Sequence, residues 1–151
     1  MKPSELLDTS RIVLGISPGT PKEEIIRTLV SAAMADLPDG ADKVAADLVK
    51  REGLMTTGIG QGVAIPHCRT SLVDAPVAAL GISRRGVDWE AVDGEDVHII
   101  FAFVTPESNP AVHVQMLGAT AEAFADERTR DAVAAASSAD EILSILKNGG
   151  A

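Results

Sequence analysis

The stretch "TTGIGQGVAIPHC", residues 56–68, poses the question on which the reading of this chain turns. Glycines alternate at positions 58, 60 and 62, and the apolar run Val63-Ala64-Ile65 follows. It ends in Pro66, His67 and Cys68, the only cysteine of the chain. A dinucleotide-binding loop needs G-x-G-x-x-G between a strand and a helix. Here the third glycine position holds Val63, and the stretch follows a helical pattern and enters a strand-like one. A P-loop needs a lysine directly after its last glycine, and none is present. The glycines therefore read as a turn feeding a short strand, "VAIP".

Cys68 directly follows His67, and neighbours along an extended chain point to opposite faces. The two are poorly placed to share a tetrahedral metal ion. No C-x-x-C or H-x-x-x-H spacing joins them to His98 or His113. No metal site is expected. Cys68 reads as a small buried or half-buried residue rather than a nucleophile. His67 has a plain reading, a loop histidine at a strand end. It also has a second one. Pro66 fixes its own φ and confines Ile65 to extended geometry, while the glycines let the backbone approach whatever His67 faces. On that reading His67 is presented for chemistry.

Outward from this stretch the periodicities change. "RIVLGIS", 11–17, is a short strand ended by "PGTP". Thr20, Pro21 and Glu23 form a capping-box pattern for a first helix. Ile25, Ile26, Leu29, Val30, Ala33, Met34 and Leu37 give it one apolar face. "LPDGAD" breaks that helix, and a second is expected over about 41–50. Residues 76–83 and 96–104 read as two further strands, with a turn-rich connection that can carry a short hairpin. Helical patterns fill about 110–125, 126–136 and 139–147, the last with Ser138 and Glu141 as a capping box and Gly149 as a stop. The order is β-α-α-β-β-β-α-α-α. It predicts one α/β domain over 1–151, a three-layer arrangement with a mixed sheet flanked by helices.

Composition narrows the function classes. The net charge of −9 argues against nonspecific nucleic-acid binding and against a polybasic membrane surface. One cysteine makes no internal disulfide, the first residues carry no signal-peptide pattern, and no apolar run is long enough to cross a bilayer. A cytoplasmic protein with no direct membrane insertion is expected.

His113 follows Asn109 and Pro110, which look like an N-cap and first residue of a helix. Leu117, Thr120, Ala121 and Phe124 continue its face, so it should point toward the body of the domain. The helix dipole disfavours an imidazolium there, yet a neutral ring can still donate one hydrogen bond. A satisfied core histidine is the competing reading. His98 interrupts the apolar run "DVHIIFAF" and reads as a strand histidine at a layer edge.

The segment "KREGLMTTGIGQGVAIPHC" resembles the active-site signature of the fructose, mannitol and nitrogen-regulatory type of enzyme IIA. These are components of the bacterial phosphoenolpyruvate-dependent sugar phosphotransferase system. The matching features are Arg51-Glu52, Thr57-Gly58-Ile59-Gly60, Gly62, Val63-Ala64-Ile65 and Pro66-His67. "VTPESNPAVHVQMLGATAEAF" is similar to the family segment with the second histidine, here His113, and the similarity runs over about residues 5–148.

The resemblance implies roles. His67 would accept a phosphoryl group from the histidine carrier protein HPr, or a nitrogen-branch equivalent. An enzyme IIB or regulatory target proteins would lie downstream. His113 would donate a hydrogen bond to the phosphoryl oxygens, and Arg51 would balance charge. Backbone amides around Thr57, Gly58 and Gly60 would add donors. No cofactor is implied. Cys68 stands where the family most often has glycine, and His98 where it is usually aliphatic. The wording around His67 is nearest the nitrogen-regulatory branch, with a sugar-transport enzyme IIA as the alternative. A non-phosphorylated interaction module and a metal-dependent hydrolase are the readings from other classes.

Overall fold

The computed structural model describes residues 1–151. After two short 3-10 turns, Pro3–Leu6 and Thr9–Arg11, the elements are β1 (Ile12–Val13), α1 (Lys22–Ala33) and α2 (Pro38–Leu54). Four strands follow: β2 (Gly58–Gly60), β3 (Val63–Ala64), β4 (His67–Thr70) and β5 (Val77–Val87). The chain continues through β6 (Val97–Pro106) and closes with α3 (Pro110–Ala123), α4 (Glu127–Ala135) and α5 (Ala139–Asn148).

All six strands form one mixed sheet: five run in the order β1-β5-β6-β3-β2, and β4 pairs with β6 off that path. β6 is its spine, buried along nearly all its length. β5 pairs with one side of β6, antiparallel. On the other side lie β3 and then β4, both parallel to β6 and in line with each other. Residues 63–70 are thus one strand broken at Ile65-Pro66. Proline has no N–H to give a ladder, so the strand is interrupted there. The Pro66 carbonyl still accepts from Phe103 N at 3.1 Å, which keeps the two halves on one line.

Alternation along the strands divides the core. Val97, Ile100, Ala102 and Val104 of β6 face α1 and α2, together with Ala64 and Cys68. Ile99, Phe101 and Phe103 face α3, α4 and α5, together with Val63 and Ile65. This is the expected α/β sandwich of a mixed sheet between two helical layers. Fully burying Phe101 and Phe103 is worth roughly 1.5–3 kcal/mol each.

Several local expectations are corrected. Two strands, β2 and β4, were absent from the predicted order, because both are very short and owe their extended form to neighbours in the sheet. β1 is two residues long, not 11–17, since Gly15 turns to φ +74° just beyond it. α1 starts at Lys22 with no side-chain cap. Thr20 instead closes a turn onto the Ser17 carbonyl at 3.0 Å, so its capping box does not form. "LPDGAD" is not a break throughout: Pro38 opens α2, where its missing N–H costs nothing. α2 also runs past Lys50 to Leu54, which places Arg51 and Glu52 in its last turn. The connection after residue 83 holds no separate hairpin; β5 continues to Val87, and 88–96 is the loop joining β5 to β6. The Asn109 and Ser138 caps form as expected, accepting from Val112 N and Glu141 N.

Candidate functional site

His67 opens β4, directly after the break at Pro66. Its cross-strand partner on β6 is Phe103, and the two rings stack with centroids 5.2 Å apart and planes 12° apart. Its Nδ1 lies 2.6 Å from the Ile65 carbonyl oxygen. A carbonyl only accepts, so Nδ1 carries the hydrogen and Nε2 of the neutral ring keeps its lone pair. Ile65 is itself tied down, since its N–H donates to the Thr57 carbonyl at 3.0 Å.

His113 lies in the first turns of α3, half-buried, with Asn109 capping that helix. Its ring is 5.2 Å from that of His67 and 5.4 Å from that of Phe103. The buried Thr105 hydroxyl lies 2.7 Å from His113 Nδ1. Arg51 is exposed at the end of α2 and lines the same hollow as His67, with Thr57, Ile59, Ile65 and Leu117. The hollow has a volume of about 240 Å³. The structure therefore brings together His67, His113 and Arg51.

The electrostatics keep both rings neutral. Burial holds the His67 imidazole below its usual range, and the Arg51 guanidinium adds to this; the hydrogen bond to Ile65 and the Glu52 carboxylate oppose it. Burial, then His67, Arg69 and Arg51, push His113 down to about 4. Burial pushes the Cys68 thiol up to about 11, so at neutral pH it is not a thiolate. Cys68 packs into the α1/α2 core.

The glycine turn departs from expectation. The Thr57 amide donates to Glu52 Oε1 at 2.8 Å, and the Gly58 amide to Thr56 Oγ1 at 3.1 Å. Gly60 sits in β2 with φ +97°, and the Asp93 carboxylate packs where its Cβ would point. The Thr57 and Gly58 amides are already engaged, and a carboxylate beside Gly60 repels a phosphate. Thr57, Gly58 and Gly60 thus do not offer the expected anion cradle. Gly58 has a packing reason instead: a Cβ there would lie 2.7 Å from Ala91 Cα.

Sequence reading missed two groups. Glu52 is 5% exposed, and its carboxylate accepts from Thr57 N, Thr57 Oγ1 at 2.6 Å, Thr56 Oγ1 at 3.4 Å and Lys22 Nζ at 3.3 Å. It ties the end of α2 to the turn whose Thr57 carbonyl holds Ile65, and Ile65 in turn holds His67. Thr105 is the other. In the sequence Glu52 stands only as half of the Arg51-Glu52 pair of the signature, with no role of its own; nothing local marks Thr105. His98 lies outside the ring cluster, its Nδ1 donating toward the Ser83 and Arg84 carbonyls at 3.0 and 3.2 Å. Nowhere do three or more His, Cys, Asp or Glu side chains gather as metal ligands. No helix is long and apolar enough to cross a membrane.

Residues 5–149 match the family described as phosphoenolpyruvate-dependent sugar phosphotransferase system, EIIA 2. The chain is 30% identical over 143 residues to a nitrogen regulatory protein of Pseudomonas aeruginosa, covering 94% of this chain and 92% of that one. It is 32% identical over 130 residues to the fructose-specific EIIA component of Haloferax volcanii, covering 85% and 84%. The crystal structure of nitrogen regulatory protein IIA-Ntr from Neisseria meningitidis superposes with a TM-score of 0.85 at 33% identity, over 95% of this chain and 97% of that one. Sequence, fold and the two paired histidines agree: the chain belongs to the type-2 enzyme IIA family, a component of the sugar phosphotransferase system.

Proposed function

We propose that His67 Nε2 accepts a phosphoryl group from a phosphohistidine carrier of the HPr kind, and that the phosphorylation state of the chain regulates downstream proteins. The observation that carries this is the bond from His67 Nδ1 to the Ile65 carbonyl, which leaves Nε2 as a fixed nucleophile beside His113. The Nε2 lone pair forms a bond to phosphorus as the carrier's own N–P bond breaks. The electron pair of that bond returns to the carrier imidazole. Neither metal nor proton transfer is needed between two such rings. His113 and the Arg51 guanidinium balance the charge gathering on the phosphoryl oxygens.

The surface around the hollow suits a protein donor. Leu54, Met55, Ile59 and Val114 are exposed by 81%, 78%, 50% and 70%. Met55 and Ile59 line the hollow with Arg51 and His67, Leu54 lies beside Arg51, and Val114 follows His113 in the chain, an apolar surface for docking. The acidic chain favours a basic carrier, with an on-rate that falls as salt rises.

The test is intact mass after incubation with phosphoenolpyruvate, enzyme I and HPr or its nitrogen-branch equivalent. One acid-labile phosphoryl group on wild type and none on His67→Ala is the expected result. Label retained by His67→Ala would reject the site. The regulatory reading rests on the nitrogen regulatory relative and on IIA-Ntr. The fructose-specific relative supports a second reading, delivery to an enzyme IIB for sugar uptake. Rapid loss of the label to a fructose- or mannitol-type enzyme IIB would favour that second reading.

A further inference from the structure

β6 supports both histidines from two successive positions on one face. Phe103 lies under the His67 ring, and Thr105, two residues on, lies at the His113 ring. Thr105 is fully buried, and its hydroxyl makes no hydrogen bond other than the 2.7 Å contact with His113 Nδ1. A hydroxyl has one hydrogen to donate and lone pairs to receive. If Nδ1–H donated to Thr105, the hydroxyl hydrogen would be left buried with no acceptor, an unfavourable state. If the hydroxyl donates, every group is satisfied. Nδ1 is then bare, and the proton of the neutral ring sits on Nε2.

We infer that Thr105 is a positioning residue for His113: its hydroxyl donates to Nδ1, fixes the Nε2–H tautomer and so makes the free side of the ring a hydrogen-bond donor. The consequence is specific. The opposite tautomer would turn a lone pair, not a hydrogen, toward phosphoryl oxygens, and the two would repel. Protonating the ring would also give a donor. It is opposed by burial and by Arg69 and Arg51, and by the positive end of α3. Thr105 thus supplies a donor without adding a charge. The inference rests on the proposed role of His113 in phosphoryl transfer, whereas the tautomer is a property of the unphosphorylated protein.

The test uses full-length protein labelled with 15N-histidine, as wild type, Thr105→Val and Thr105→Ser. Valine removes the hydroxyl at nearly constant volume, and serine keeps it. In wild type and Thr105→Ser, His113 Nδ1 should resonate as an unprotonated nitrogen accepting a hydrogen bond. In Thr105→Val that signal should move to the value of an unbonded nitrogen and the two tautomers should mix, with the His67 signals unchanged. Labelling of His67 by phosphorylated HPr should slow about fivefold in Thr105→Val, as the donor-competent population shrinks, and recover in Thr105→Ser. A proton on His113 Nδ1 in wild type overturns the inference. So does a Thr105→Val protein with unchanged nitrogen signals or an unchanged labelling rate. A wild type that takes no label counts against the phosphocarrier reading alone, and the nitrogen signals still decide the part played by Thr105.

Discussion

The two histidines are held by opposite means. His67 is anchored by backbone: its Nδ1 donates to the Ile65 carbonyl, two residues before it, across a proline. His113 is anchored by a side chain on another element, the Thr105 hydroxyl of β6. The first anchor is a backbone carbonyl, so it depends on chain path and on whatever fixes that path. The second is lost with a single oxygen atom. On the proposed roles, the nucleophile's lone pair is set by the backbone, whereas the assisting ring depends on a side chain.

That contrast can be broken or sharpened by substitution. His67→Ala should abolish phosphoryl acceptance, with the far-ultraviolet circular dichroism unchanged because the ring is only partly buried; mass spectrometry reads the first and the spectrum the second. His113→Ala should slow acceptance by about 100-fold, the order expected for one transition-state donor, while the final extent of labelling is kept. An unchanged rate in single-turnover quench experiments would return His113 to a packing role. Glu52→Gln attacks the backbone anchor from behind, through Thr57 and Ile65. It should cost about 1–3 kcal/mol in urea unfolding, since an amide cannot accept from all of the donors that the carboxylate satisfies. If stability is unchanged, the chain of bonds from Glu52 to His67 is not what holds the ring.

The smallest effect is on pH dependence. His113 titrates near 4 in the folded protein and near its ordinary 6.5 when unfolded. The unfolded chain therefore binds more protons between those values, and stability falls as pH drops from about 6.5 toward about 4. His67, also held low, acts in the same direction. Urea midpoints at neutral pH and at about pH 5 should differ for wild type, and by less for His113→Asn. An equal drop in both proteins would assign the effect to other groups.

How much was legible in the sequence follows the same division. His67 could be singled out because Pro66 and the glycines restrict the path of the chain, and such restrictions are written locally. The helices could be read from their apolar spacing. Thr105 and Glu52 could not be assigned, because what they do depends on which way a strand and a helix end face. That is fixed by the pairing of β4 with β6 and by the extension of α2 past Lys50. The same cause explains the misplaced anion cradle: the amides of Thr57 and Gly58 were available in the sequence and are taken in the fold. β2 and β4 escaped notice because strands of three and four residues, built around glycine or following proline, have no periodicity of their own.

The most direct test of the central claim is nitrogen and phosphorus NMR on 15N-histidine-labelled protein after phosphorylation by HPr. The expected product is a phosphoramidate on Nε2 of His67, with Nδ1 of the same ring still protonated and bonded to the Ile65 carbonyl. A phosphoryl group on Nδ1 of His67, or on His113, would contradict it.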